Sequence, residues 1–149
     1  GYETAVKAAH AGLKTVIVEQ AKVGGTCLNV GCIPTKCFCK NAELISELSE
    51  AEQLGIKGLS YDGIDMPKIV ERKNEVVNTL VSGVEMLLKS PNITRVTGKA
   101  RFVDAKTIEV ADAKDAKGEP TEPQYTAPNI IIATGSVTKF LPSPGKDLP

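Results

Sequence analysis

The chain has 149 residues, 42% hydrophobic and 24% charged, which is the make-up of one ordinary globular domain. Eighteen lysines and arginines balance 18 aspartates and glutamates, which argues against a general nucleic-acid binder or an anionic-membrane binder. No apolar run approaches the ~20 residues of a membrane span.

Taken in chain order, Tyr2 to Ala11 is rich in good helix formers, and Gly12 is the expected C-terminal stop. Thr15 to Glu19 (Thr-Val-Ile-Val-Glu) is a short β-branched run and reads as a buried parallel strand. The order glycine, helix, glycine turn, strand, acidic residue matches the second half of a dinucleotide-binding βαβ unit. In that reading Gly1 stands at the helix start and Glu19 offers a carboxylate to ribose hydroxyls. A solvated strand-end carboxylate is the plain alternative for Glu19. The first strand and earlier glycines of such a unit are missing, so the chain is expected to be a fragment that starts at the third glycine.

Four cysteines follow within thirteen residues: Cys27, Cys32, Cys37 and Cys39. A structural disulfide framework spreads its cysteines to tie distant segments together, so the cluster suggests redox or metal chemistry, or a thiol-rich helix. A zinc site normally uses closer Cys-x2-Cys pairs with further cysteines or histidines. The only histidine, His10, reads as an ordinary exposed helix residue. A buried-thiol helix suits Cys37 and Cys39. A redox disulfide between Cys27 and Cys32 is the third reading. Residues i and i+5 of a regular helix have Cα atoms roughly 8–9 Å apart, whereas a disulfide wants roughly 4.4–6.8 Å. A bond there requires a distorted turn, which Asn29 and Gly31 permit. Gly24-Gly25 lets the backbone approach a ligand closely, and a helix beginning near Cys27 is expected to lower a thiol pKa.

Cys39 to Gln53 reads as helix, and Gly55 to Gly63 as loop. Asp65 is the expected N-cap of the next helix, with Pro67 early in it. Ile69, Val70, Val76, Val77, Leu80, Val81, Val84, Leu87 and Leu88 give a helical stripe to about Lys89, read as core or interface packing. Ile93 to Val103 and Thr107 to Val110 read as strands around a turn at Asp104 to Lys106. Lys114 to Pro123 reads as an exposed hairpin loop. Asn129 to Ser136 reads as a buried strand ending in a tight glycine turn, and Pro142, Pro144, Gly145 and Pro149 as a linker leaving the domain.

The stretch Gly24-Gly-Thr-Cys-Leu-Asn-Val-Gly-Cys-Ile-Pro-Thr-Lys36 closely resembles the redox-active site of the pyridine nucleotide-disulfide oxidoreductases. Leu28 and the Ile33-Pro34-Thr35-Lys36 ending favour the branch that oxidises dihydrolipoamide over glutathione or trypanothione reductases. Thr35 stands where serine is commoner. The resemblance covers essentially the whole chain, through Ala133-Thr134-Gly135-Ser136. It implies an α/β fold: a Rossmann-like FAD-binding domain with a parallel sheet and a small antiparallel hairpin layer, lacking its first strand. Residues 1–149 would be the FAD-binding fragment with the redox disulfide, and the NAD-binding and dimerisation domains would be absent.

The resemblance also implies roles. Gly1 corresponds to the last glycine of the phosphate-binding turn and Glu19 to the carboxylate on the adenosine ribose. Gly25, Thr26 and Cys27 would line the pyrophosphate and flavin, with Lys36 near the reactive flavin edge. Thr134, Gly135 and Ser136 correspond to a second flavin-contacting turn. The family's Gly-x-Gly is here Gly98-Lys99-Ala100, leaving Ala100 a backbone contact to adenine. In the implied reaction a dihydrolipoyl thiolate attacks Cys27, Cys32 leaves as a thiolate against the flavin, and electrons pass through FAD to NAD+. The implied partners are the dihydrolipoyl groups of acyltransferase or H-protein components, with a homodimer in the full-length form, in a cytoplasm or mitochondrial matrix. The family's catalytic histidine-glutamate pair lies in its C-terminal domain, and His10 does not match it. Alternatives are a mercuric or glutathione-type reductase, and a non-catalytic flavin-binding domain with incidental thiols.

Overall fold

Alanines four apart on one face let the first helix sit close to its neighbours. This helix, α1 (Tyr2–His10), buries Ala5 and Ala9, and Ala11 closes it before Gly12. The computed structural model describes residues 1–141 and 145, so most of the expected proline-rich linker (residues 142–144 and 146–149) lies outside the described residues. Strand β1 (Thr15–Glu19) follows. Then come a short helix α2 (Gly25–Asn29), a long helix α3 (Cys32–Glu50), a 3-10 turn (Ala51–Leu54) and helix α4 (Met66–Leu87). Asp65 caps α4 as expected, its carboxylate accepting from Lys68 N at 3.0 Å. The chain finishes with β2 (Ile93–Phe102), β3 (Thr107–Lys114) and β4 (Gln124–Thr126).

The four strands form one sheet in the order β1-β2-β3-β4. β1 runs parallel to β2, from Thr15 opposite Ile93 to Glu19 opposite Thr97. The crossover between them contains α2, α3 and α4. β2 is long enough to pair twice, since its second half runs antiparallel to β3. The expected hairpin is therefore not a separate layer; it continues the parallel part. The change of partner is made at a bulge between Thr97 and Lys99. There Gly98 takes φ +152°, and a Cβ on it would fall 2.5 Å from both the Ala111 carbonyl oxygen and Val110 Cγ1.

Two apolar clusters hold these elements. Ala5 and Ala9 of α1, Val23, Val84 and Leu88 at the end of α4, and Ile93 of β2 form the first. Val96, Val110 and Ala113 form the second, on β2 and β3. Val23, Val96 and Val110 are the most deeply buried large side chains, each contributing about 1.5–3 kcal/mol of apolar burial. Asn92 ties the start of β2 to α1, its side-chain amide donating to the Ala9 carbonyl at 3.3 Å.

Two expectations fail here. β1 is half-buried rather than buried: Ile17 packs against the first cluster and Val18 against the second, while the Val16 side chain stays exposed. Asn129 to Ser136 is not a strand: it is chain without regular secondary structure, with Ile131 and Ile132 about 70% exposed. Its apolar run has strand composition, but a strand needs a ladder partner. The last sheet-like bond in this direction is Ala127 N to Lys106 O. β4 was not anticipated, because three residues after a proline-rich loop carry no readable alternation.

Candidate active site

A cleft of about 1100 Å3 runs between β1, the start of α1, one end of the β2–β3 hairpin and the irregular segment from Ala127 to Thr134. Five of the sequence-selected residues line it together: Gly1, Glu19, Gly25, Ala100 and Thr134. The chemistry of this set suits a dinucleotide. The first-turn amides of α1 begin at Gly1 and have no partners within their own helix, and the helix dipole adds positive potential there. Glu19 ends β1, and its Oε1 accepts from Ala21 N at 2.9 Å, which fixes the carboxylate at the cleft edge. Its second oxygen has no protein partner among the described residues. Gly135 and Ser136 follow Thr134 but are not part of the cleft lining.

Thr26 and Cys27 sit on α2 next to Gly25, and the break between α2 and α3 is the geometry that the i, i+5 spacing demanded. Helix α2 stops at Asn29, and Val30 leaves helical geometry at φ −140° while its N–H still closes on the Thr26 carbonyl at 2.9 Å. Gly31 turns the chain, and Cys32 is the first residue of α3. The turn folds so tightly that a Cβ on Gly31 would lie 3.0 Å from the Thr26 carbonyl oxygen and 3.2 Å from Cys27 Cα. Thr35 fastens the other side of the turn. Its N–H and hydroxyl both donate to the Gly31 carbonyl, at 3.1 and 2.8 Å. The hydroxyl is what this bond uses, so threonine serves where the resemblance expected serine.

The pair is held as two exposed thiols in contact. The expectation of a lowered thiol pKa is corrected at Cys27. The Cys27 S–H donates toward the adjoining Cys32 sulfur, and this hydrogen bond, then desolvation, then repulsion between two developing thiolates, hold Cys27 above the ordinary thiol range. Lys36, one turn beyond Cys32 on α3, pulls in the opposite direction.

Cys37 is buried as expected, whereas Cys39 is exposed, because two residues along a helix turn about 200° around its axis. Two contributors went unselected in the sequence. Tyr2 lines the cleft beside the first-turn amides; burial, then Glu3, push its phenol pKa up, with a small contribution from Cys27. Asn29 reaches back to the Val23 and Gly25 carbonyls on the N-terminal side of Cys27, and its signal was its place inside the cysteine motif.

The sequence matches the pyridine nucleotide-disulphide oxidoreductase family over residues 1–148. It is 42% identical to a dihydrolipoyl dehydrogenase of Geobacillus stearothermophilus over 96% of this chain and 29% of that protein. It is 37% identical to the corresponding protein of Mycoplasma pneumoniae over 97% of this chain and 30% of that protein. The chain thus spans about three-tenths of the length of these curated relatives. Among solved structures, the Cu(II) complex of the HOCl-induced flavoprotein disulfide reductase RclA from Escherichia coli superposes with a TM-score of 0.69 at 31% identity. That superposition covers 97% of this chain and 28% of that one.

Proposed function

The chain belongs to the pyridine nucleotide-disulphide oxidoreductases, and from that membership we propose that it is the FAD-binding, disulfide-bearing part of a dihydrolipoyl dehydrogenase. The observation that carries the reading is the Cys27–Cys32 pair, turned toward itself by a helix break beside a dinucleotide-sized cleft. The names of the curated relatives support the same activity.

In this reading the oxidised protein joins Cys27 to Cys32. A dihydrolipoyl thiolate attacks Cys27 Sγ, forming a mixed disulfide and releasing Cys32 as a thiolate. The second substrate thiol, once deprotonated, displaces Cys27, so the substrate leaves as cyclic lipoamide and the pair is left as two reduced sulfurs. FAD, when bound, would supply the two-electron redox chemistry that links those sulfurs to NAD+. Gly1 and its helix would hold the pyrophosphate, Glu19 a ribose diol and Ala100 the adenine by its backbone. Gly25, Thr26, Lys36, Thr134, Gly135 and Ser136 would surround the flavin end. Lys36 supplies positive charge near the thiols, which favours whichever sulfur carries the negative charge.

The NAD-binding and dimerisation functions are assigned to parts of the full-length protein outside these 149 residues. The partners are dihydrolipoyl groups on acyltransferase or H-protein components, encountered by a cytoplasmic homodimer. No described helix is long and apolar enough to cross a membrane. The superposition on RclA favours one second reading, a flavoprotein disulfide reductase with another substrate.

A visible spectrum of the full-length protein, recorded while titrating with dihydrolipoamide, separates these. A flavin spectrum that gains a long-wavelength thiolate-to-flavin band supports the dehydrogenase. A flavin spectrum indifferent to dihydrolipoamide favours the other reductase. A full-length protein without flavin overturns both.

A further inference from the structure

The side-chain amide of Asn29 ties the end of α2 back to the turn that enters it. Its Nδ2 donates to the Val23 carbonyl at 3.0 Å and to the Gly25 carbonyl at 3.0 Å. These carbonyls flank Gly24, the N-cap of α2. Gly24 is itself packed under the motif, since a Cβ on it would meet Leu28 Cδ1 at 3.0 Å and Asn29 Nδ2 at 3.3 Å. Val23 is 2% exposed and part of the first core cluster, so the clamp has one end fixed in the core. Asn29 itself is the last residue of α2, three before Cys32.

The orientation of the amide is dictated by this network. An amide carries two N–H donors on one atom and only acceptors on the other. Flipping it would set Oδ1 against two carbonyl oxygens. In the observed orientation Oδ1 is buried and has no partner among the described residues. Leaving a buried acceptor unpaired costs stability, so the donor end holds the amide in place despite that cost.

We propose that Asn29 is a positioning residue for the Cys27–Cys32 pair: its amide locks α2 to the core-anchored Val23–Gly25 turn, so that Cys27 is held against the turn from which Cys32 emerges. The inference rests on the reading of this pair as a redox disulfide. Closing the bond takes two electrons and two protons from the two thiols, and with glutathione disulfide as oxidant these leave as two molecules of glutathione. A fixed α2 raises the effective concentration of one thiol at the other and favours closure. Without the amide donors α2 swings on its Gly24 end, and closure becomes less favourable.

The test uses the full-length, flavin-loaded protein and its Asn29→Asp and Asn29→Ala variants. Asp keeps the shape and puts acceptors where the donors were. Each variant is equilibrated with glutathione and glutathione disulfide, and the fraction of the pair oxidised is read by mass spectrometry after alkylation. In both variants the equilibrium constant for closing Cys27–Cys32 is expected to fall about tenfold, equivalent to about 30 mV, with FAD content and melting temperature close to wild type. An unchanged constant in folded variants overturns the proposal. If both variants fail to fold, side-chain amide hydrogen exchange at Asn29 in the wild-type protein decides: protected Nδ2 protons support the clamp, and freely exchanging ones overturn it. A wild-type pair that never oxidises, at any glutathione ratio, overturns the redox reading instead.

Discussion

Gly31 lies against Cys27: a single carbon added to Gly31 would stand 3.2 Å from the Cys27 Cα and 3.0 Å from the carbonyl oxygen of Thr26. Both neighbours are backbone and cannot swing away, so the added carbon must open the turn. Gly31→Ala in the full-length protein is expected to cost roughly 1–3 kcal/mol. It is also expected to slow closure of Cys27–Cys32 about tenfold, the effect of ~1.4 kcal/mol of added strain. Denaturant unfolding and alkylation-quenched reoxidation check this. Wild-type rates in a folded variant would show that the turn does not set the distance between the sulfurs.

Either sulfur alone leaves the exchange chemistry without its partner. Cys27→Ser and Cys32→Ser, each in the full-length protein, are expected to lower dihydrolipoamide oxidation by at least about a thousandfold, with FAD content retained. Steady-state turnover and the flavin absorbance of the purified variants measure the two quantities separately. Retained turnover in either variant would remove the redox pair from the reaction.

Because the Cys32 thiol is the first cause of the raised Cys27 pKa, removing it should lower that pKa. The pH profile of Cys27 alkylation is expected to move to lower pH in Cys32→Ala. The sign follows from linkage. A thiol raised in the folded state binds its proton more tightly there, so its contribution to stability is present below the ordinary thiol value and is lost as pH rises through the raised one. A profile that moves to higher pH would place another group beside Cys27.

Asp115 organises the loop after β3, accepting from the backbone N–H of Lys117 at 2.8 Å and of Glu119 at 3.0 Å. Those bonds, the Glu119 one first, hold its carboxyl below the ordinary value of 3.8. The stabilisation is therefore present above pH 3.8 and is lost as pH falls through the lowered pKa. Carboxyl carbon shifts followed by NMR through an acid titration should show Asp115 titrating below 3.8. A midpoint at or above that value would mean the loop does not hold in solution.

Two glycines should respond in opposite directions to the same substitution. Gly98→Ala sets a carbon 2.5 Å from the Ala111 carbonyl oxygen at φ +152° and is expected to cost roughly 2–4 kcal/mol. Gly83, exposed on α4, has nothing within 4 Å of an added Cβ. Gly83→Ala there should raise stability by about 0.5–1 kcal/mol. Equal effects, read by thermal melting, would contradict the bulge geometry.

Local chemistry made much of this legible in the sequence. The Asp65 cap, the Gly12 stop and the distorted turn between Cys27 and Cys32 are set by residues within a few positions of one another, and all three form. Pairing across distance was not legible. Nothing in Ile130-Ile131-Ile132 says which strand it needs, and nothing in Val16 says that only one side of its strand is covered. The raised pKa of Cys27 was not legible for a similar reason: its first cause is the Cys32 sulfur, which the turn brings beside it. Gly1, Glu19, Gly25, Ala100 and Thr134 were selected by spacing or resemblance, and the crossover brings them to one cleft.

The edge of β1 that does not face β2 has a separate consequence. Alternate residues of β1 present backbone donors and acceptors there with no ladder partner among the described residues, beside the cleft that Ile131 and Ile132 also line. Such an edge is a template for another strand, and apolar neighbours make the recruitment adhesive. Produced by itself, this 149-residue chain would be expected to self-associate through that border and to gain solubility when a β-forming segment is fused so as to lie along it.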